Sequence, residues 1–310
     1  DSLQAMKNQP GNAVLVTGAQ GFLGRAVSGI LQHSGSRVIA LDSTSQDRGS
    51  PREIATYVVC DITNKSDLEA VFHNARIDGI VHLAAILPTA AQRDPIRATH
   101  VNVVGSVNLL ELARKFGVSR FVFGSSLSIY GSCPADRVIS EADRAAPEDV
   151  YGAAKLHVEH VGSTFATSSD FEFVSLRIGR VVGPGARSTT SAWRSEIFEL
   201  LSAEGPANIA LPYTSSERVL LVHVEDAARA LVTLLDASRP RHAIYNAPCE
   251  SWVVHDLKNE LESLNPKLRV TSGNAYATGN PRLLDASRFQ NEFSFATLPF
   301  AERLRAAAGK

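Results

Sequence analysis

One stretch near the N-terminus limits what this chain can fold into. Ala13-Val14-Leu15-Val16-Thr17 is a short apolar run, Gly18-Ala19-Gln20-Gly21-Phe22-Leu23-Gly24 follows at once, and Phe22 to His33 then places Phe22, Leu23, Val27, Ile30 and Leu31 on one helical side. A buried strand that passes through glycines straight into a helix opens a parallel strand-helix-strand unit. Glycines let the backbone turn tightly, and the helix N-terminus offers unpaired N–H groups and partial positive charge. Gly18, Gly21 and Gly24, with Phe22 and Leu23 between them, therefore form an expected pyrophosphate cradle, spaced Gly-x-x-Gly-x-x-Gly.

The same rhythm continues downstream. Arg37–Leu41 reads as a second strand ending at Asp42, Tyr57–Cys60 as a third running into Asp61-Ile62-Thr63, and Gly79–Leu83 as a fourth running into Ala84-Ala85. Ser66–Phe72 and a long stretch, Pro95–Phe116, carry helical patterns, with Gly117 as the stop of the second. Arg120–Gly124 leads into Ser125-Ser126, a helix follows from Tyr151 to Phe165, and Glu172–Ile178 is a sixth strand. Beyond Val182 the rhythm breaks at Gly183-Pro184-Gly185, leaving a predicted helix over Ala192–Ala203, a strand over Arg218–Val224 and a helix over Asp226–Asp236. The expected fold is α/β: a doubly wound parallel sheet over residues 1–181, with residues 182–310 mostly a smaller C-terminal substrate-binding lobe from which some segments return to the sheet.

Bulk charge excludes some partners. With 31 Lys+Arg against 32 Asp+Glu, nothing draws the chain to nucleic acid or an anionic membrane, and no apolar run is long enough for a membrane span. Cys60, Cys133 and Cys249 are scattered without metal-ligand or disulfide spacing, which fits a cytoplasmic protein with no metal site. Met6 is the only methionine, so residues 1–5 are expected to be an appendage to a native start at Met6.

The chemistry is expected at Tyr151-Gly152-Ala153-Ala154-Lys155. Positions i and i+4 share a helix face, so a phenol and an ammonium can serve one ligand. Oxidising a secondary alcohol needs a base for the hydroxyl proton, and a nearby ammonium and a positive nicotinamide ring both favour phenolate. Asp42, 18 residues after Gly24, can accept from the adenosine ribose hydroxyls and would repel a 2'-phosphate, which favours NAD over NADP. Arg25 and Arg48 are the cations close enough in sequence to bear on that choice.

Read together, these residues resemble the extended short-chain dehydrogenase/reductases, specifically the NAD-dependent epimerase/dehydratase family. The likeness rests on Thr17 to Gly24, Asp42, Asp61-Ile62-Thr63, His82-Leu83-Ala84-Ala85, Asn102, Ser125 to Gly131, Tyr151 to Lys155, Leu176-Arg177, Gly183-Pro184 and Val222 to Asp226. It implies a Rossmann-type sheet binding NAD, with Asp61 and Ile62 beside the adenine and Leu83, Ala84 and Ala85 lining the cofactor channel. Asn102 would shape the active-site backbone, and Ser126 would be the catalytic hydroxyl beside Tyr151 and Lys155, with Ser125 as the alternative. Lys155 would also hold the nicotinamide ribose.

The resemblance also ranks the reactions. Leu127-Ser128 follows Ser126 where family dehydratases carry an Asp-Glu pair, so dehydration is not expected. A nucleotide-sugar epimerase is the first expectation, and a sugar-acid or hydroxy-carbonyl dehydrogenase releasing NADH the second. A non-catalytic dinucleotide sensor is the alternative of another class. Many nucleotide-sugar members place asparagine where this chain has Arg180; Arg180, Arg194 and Arg218 are the candidate contacts to a substrate anion. The family commonly pairs two helices per subunit, here Pro95–Phe116 and Tyr151–Phe165, into the four-helix bundle of a homodimer.

Overall fold

The computed structural model describes residues 11–45, 56–167, 171–186 and 191–310; residues 1–5 and Arg48 lie outside them. Seven strands make the main sheet: β1 (Ala13–Thr17), β2 (Val38–Asp42), β3 (Thr56–Val59), β4 (Ile77–His82), β5 (Arg120–Ser126), β6 (Glu172–Ile178) and β7 (Ile244–Asn246). Their order is β7-β6-β5-β4-β1-β2-β3, and every pair is parallel. The winding reverses between β1 and β4, where Thr17 lies beside His82, so a crevice opens there at the carboxyl ends of the strands.

Both faces of the sheet are covered, which is why its strands are nearly continuous apolar runs. Leu15, Ile39, Leu41, Ile80, Phe121 and Phe123 face one core, covered by α2 (Lys65–Asn74), α3 (Ser106–Lys115) and α4 (Val150–Ala166). Alternate residues Val16, Ala40, Val81, Val122 and Val174 face the other, covered by α1 (Phe22–His33) and α5 (Val224–Asp236). Helix α4 comes close to β6 because Gly162 is bare; a Cβ there would sit 2.3 Å from the Phe173 ring.

A buried ion pair fastens α4 to β6. Arg177 donates from Nε and Nη2 to the two Glu159 oxygens at 3.1 and 2.7 Å, and both residues are buried. Ser175 donates to the same carboxylate at 3.0 Å, while Arg177 also donates to the Tyr130 hydroxyl, which donates to Asn246 on β7, each at 2.8 Å.

The stretch predicted as one helix over Pro95–Phe116 has three parts. Asp94 caps Pro95–Thr99, His100–Gly105 opens into a π-helical turn, and α3 completes it. Gly105 lets this turn pack against the loop after β3, since a Cβ would meet Ile62 at 2.6 Å. The wider turn rotates Asn102 inward, where it is buried.

A third core gathers Trp193, Ile197, Ile209, Leu211, Val219, Leu221, Leu257 and Leu261. It joins a helix over Trp193–Glu199, shorter than the predicted 192–203, to the paired strands Ala207–Tyr213 and Leu268–Ala275 and to helix Val254–Leu264. Arg180–Val182, Arg218–His223 and Glu250–Val253 form a small separate sheet that links this core to the end of β6.

Candidate active site

The glycine turn is shaped by contacts inside the protein. Gly18 has φ +68°, and a Cβ on it would lie 2.7 Å from the Ala84 amide nitrogen. A Cβ on Gly24 would be 2.1 Å from the Gly18 carbonyl oxygen, so the first turn of α1 folds back directly over the loop. Gly21 is the exposed N-cap of α1 and gives it no side-chain cap, nor does an acidic residue stand in the first turn. The helix N–H groups are thus left for an anion, as a pyrophosphate site requires.

At the end of β2, Asp42 braces the same turn. One carboxylate oxygen accepts from Gln20 N at 3.0 Å, the other from Thr44 N and Oγ1 at 3.2 and 3.1 Å. Arg25 donates to the carbonyls of Gln20 and Gly185, joining the glycine turn to the segment after Val182. Asp61 accepts from Thr63 N and Oγ1 in a tight turn, and buried Ile62 packs beneath it. These residues fit a dinucleotide with free ribose hydroxyls at the β2 end.

A polar relay fixes the other wall of the crevice. Thr17 Oγ1 accepts from the amides of Leu83 and Ala84 at 3.2 and 3.3 Å and lies 2.6 Å from His82 Nδ1. His82 Nε2 is 2.8 Å from Ser106 Oγ, which donates to the Asn102 carbonyl at 2.8 Å. With Thr17 already accepting twice, its proton goes to Nδ1, and His82 donates from Nε2. Burial and the nearby Lys155 hold His82 down to about 3, so it stays neutral. Asn102 accepts from Ile86 N at 2.7 Å and donates to Ile86 O at 2.9 Å. Its amide therefore holds the chain just beyond Leu83, Ala84 and Ala85. Thr17 and His82 stood in the recognised motifs without a role, and only their contacts supply one.

Tyr151, Lys155 and Ser126 converge at the end of β5. Asp149 caps α4 through Gly152 N at 2.6 Å, and bare Gly152 lets α4 start against the turn after Ser126, where a Cβ would meet the Ser128 carbonyl oxygen at 2.6 Å. That approach sets the Tyr151 phenol beside the Ser126 hydroxyl, within hydrogen-bonding reach. Ser126 Oγ also accepts from Ser128 N at 3.1 Å and donates to Ser128 Oγ at 3.0 Å. Ser125, the alternative, points to the opposite face of β5 by strand alternation, its hydroxyl buried without a partner among the described residues.

Lys155 does not hold Tyr151 as phenolate by itself. Its ammonium donates to the Gly124 carbonyl at 2.7 Å, lies 4.6 Å from the Phe123 ring centroid, and is 5.5 Å from that of Tyr151. Burial dominates at Tyr151 and pushes the phenol up to about 12, with Asp149 adding to the rise and Ser126 and Arg194 opposing it. Burial also pushes Lys155 down to about 7, against the pull of Glu159. The protein alone thus leaves Tyr151 protonated, and further positive charge has to arrive with what binds there.

The three arginines part company. Arg180 donates from Nε to the Tyr213 hydroxyl at 3.0 Å. Arg194 is half-buried, and its charge is felt at Tyr151, Tyr213 and Arg180. Arg218 lies on the other strand face from Arg180: it shares a face with Leu220 and donates to Ser251 Oγ at 3.4 Å, whereas Arg180 pairs in register with Leu221.

In sequence and in fold the chain is similar to several known proteins. A UDP-glucose 4-epimerase of Lacticaseibacillus casei is 32% identical over 173 residues, 55% of this chain and 52% of that protein. The chain thus spans about half the length of the curated UDP-glucose 4-epimerases it matches. The mitochondrial L-threonine 3-dehydrogenase of Bos taurus is 25% identical over 268 residues, 83% of this chain and 70% of that one. Among solved structures, the Thermus thermophilus UDP-glucose 4-epimerase complex with NAD superposes with a TM-score of 0.82 at 25% identity, covering 96% of this chain and 98% of that one. Residues 14–247 match the NAD dependent epimerase/dehydratase family, and with more than half of its length so matched the chain belongs to that family of NAD-dependent enzymes.

Proposed function

We propose that this chain oxidises a secondary alcohol of a sugar-type substrate, with Tyr151 as acid-base, Ser126 as the donor that fixes the substrate oxygen, and Lys155 as the residue that orients the nicotinamide ribose. The observation that carries this reading is the meeting of Ser126, Tyr151 and Lys155 at the end of β5, beside the crevice where the sheet order reverses. NAD bound in the crevice would supply the acceptor for the hydride of the substrate C–H bond, leaving the substrate as a carbonyl. Tyr151 takes the hydroxyl proton, and its burial excludes the water that would compete for that role. Gly18, Gly21, Phe22, Leu23, Gly24, Asp42, Asp61, Ile62, Leu83, Ala84 and Ala85 are assigned to the cofactor, and Asn102 to the backbone that lines it.

The first outcome is nucleotide-sugar epimerisation, in which the hydride returns to the opposite face of the same molecule. Likeness to the UDP-glucose 4-epimerases supports it, as does the absence of acid-base groups at Leu127 and Ser128 for elimination. Net dehydrogenation is the second reading, favoured by the cationic Arg194, whose charge is felt at Tyr151, and by likeness to an L-threonine 3-dehydrogenase. A screen of UDP-, GDP- and dTDP-sugars beside free sugar acids, at excess NAD, separates them. An epimerase converts stereochemistry without accumulating NADH; a dehydrogenase makes one NADH per substrate oxidised. Turnover of no member of the panel would overturn the sugar-type assignment.

A cytoplasmic homodimer also belongs to this proposal. Ile96 and Val104 are exposed by 74% and 42% on the segment leading into α3, as a helix-pairing face requires. Sedimentation should give a dimer for the wild type and a monomer for Ile96→Asp. A wild-type monomer at micromolar concentration would contradict it.

A further inference from the structure

Two guanidinium groups meet in one corner at Tyr213 without an acidic partner among the described residues, and the charge of one of them, Arg194, is felt at Tyr151. Arg180, on the short strand after β6, reaches Tyr213 through Nε at 3.0 Å and lies 5.4 Å over its ring. Arg194 is tied into the same corner: its carbonyl accepts from Gly183 N at 3.0 Å, and its guanidinium lies 5.9 Å from the Trp193 ring, which meets Tyr213 edge-on at 6.0 Å. Among the described residues, no carboxylate lies within ion-pair distance of either arginine, although Arg120, Arg137, Arg177, Arg229, Arg282, Arg288 and Arg303 each have one. Arg194 Nε is buried with no hydrogen-bond partner among those residues.

A half-buried cation with an unused donor beside a second cation is costly, because burial and like-charge repulsion act together. An anion between the two forks would relieve both, and planar guanidinium donors match the paired oxygens of a carboxylate. We propose that Arg180, Arg194 and Tyr213 form an anion-binding subsite beside Tyr151, and that the substrate is a hydroxy acid whose carboxylate lies near the carbon carrying the reacting hydroxyl. This rests on the proposed role of Tyr151. A carboxylate, rather than a diphosphate, is the anion that fits next to the reacting carbon. In a nucleotide sugar the diphosphate hangs from the anomeric carbon, across the ring from a 4-hydroxyl, while a carboxylate can sit on the next carbon. Arg218, on the opposite strand face, does not extend the cluster toward a longer polyanion. The subsite also gives the tyrosine a substrate whose charge would be neutralised before the hydroxyl proton leaves.

The test titrates the NAD-loaded protein with hexuronates and 3-hydroxy acids, each beside its neutral methyl ester, and follows binding by calorimetry and turnover by NADH and product. At least one acid should bind about 30-fold or more tighter than its ester, the scale of a desolvated charge pair losing one partner. Arg194→Met and Arg180→Met should each erase most of that preference while leaving NAD affinity and the circular dichroism spectrum unchanged. Arg194→Lys should recover part of it, which a merely structural arginine would not show. Esters bound as tightly as acids, or a preference surviving both methionine variants, would overturn the subsite. Tyr151-dependent turnover of a neutral sugar would overturn it too, yet leave the proposed oxidoreductase standing. Turnover that does not depend on Tyr151 would remove the reading on which it rests.

Discussion

Tyr151→Phe lowers turnover by about 10³-fold, the scale of a lost general acid-base, and leaves NAD affinity unchanged. The loss is confined to chemistry because the ring stays and only the hydroxyl goes. The phenol is buried beside Ser126 at the N-terminal turn of α4, and that turn is held by the Asp149 cap and the close contact at Gly152, none of which involves the hydroxyl. The glycine turn, Asp42 and the Thr17–His82–Ser106 relay that shape the cofactor crevice lie elsewhere and stay intact. Steady-state kinetics on the substrate found by the screen, with an NAD titration of both proteins, checks it. Turnover within tenfold of wild type would remove Tyr151 from proton transfer.

Arg177→Leu destabilises the fold by about 3–5 kcal/mol, because it strands a charge in the interior. Glu159 is buried, its two oxygens take both bonds from Arg177, and only the Ser175 hydrogen bond and the charge of Lys155 remain to answer it. The Tyr130 hydroxyl also loses a donor and with it part of the bridge to Asn246 on β7. Urea unfolding should show a lower midpoint with little change in slope. The double variant Arg177→Leu with Glu159→Leu should recover most of the loss, since the isolated carboxylate rather than the missing bond is what costs stability. A single variant as stable as wild type would show that the pair adds nothing to the join between α4 and β6.

What could be read from the sequence was local and repeated. The strand, glycine turn and helix from Ala13 to His33 sit within a few residues of one another, so their order alone announces the cradle, and Asp42, Ala84 and Ser126 follow because parallel strands all deliver their C-terminal residues to one edge. The π-helical turn at His100–Gly105 escaped because its residues are compatible with an ordinary helix; packing of Gly105 on Ile62 distinguishes it. The environment of Arg194 escaped for a related reason: Tyr213 and Arg180 come to it from two other elements. Strand β7 is three residues long and pairs with β6 from far along the chain, too short to show a period. Ala207–Tyr213 did carry a signal, with buried Ile209 and Leu211 between exposed neighbours, but its partner Leu268–Ala275 lies far downstream.

Hydride transfer is the central claim, and the fate of a carbon-bound deuterium tests it most directly. The substrate identified by the screen is labelled at the carbon bearing the reacting hydroxyl and incubated with the enzyme and NAD, and substrate, product, nicotinamide and solvent are analysed for label. Hydride chemistry keeps the deuterium out of water: it is recovered on the nicotinamide if NADH is released, or on the epimerised sugar if it is handed back. Deuterium appearing in the solvent while the nicotinamide and product carry none would mean that the carbon loses a proton instead, and would contradict the account.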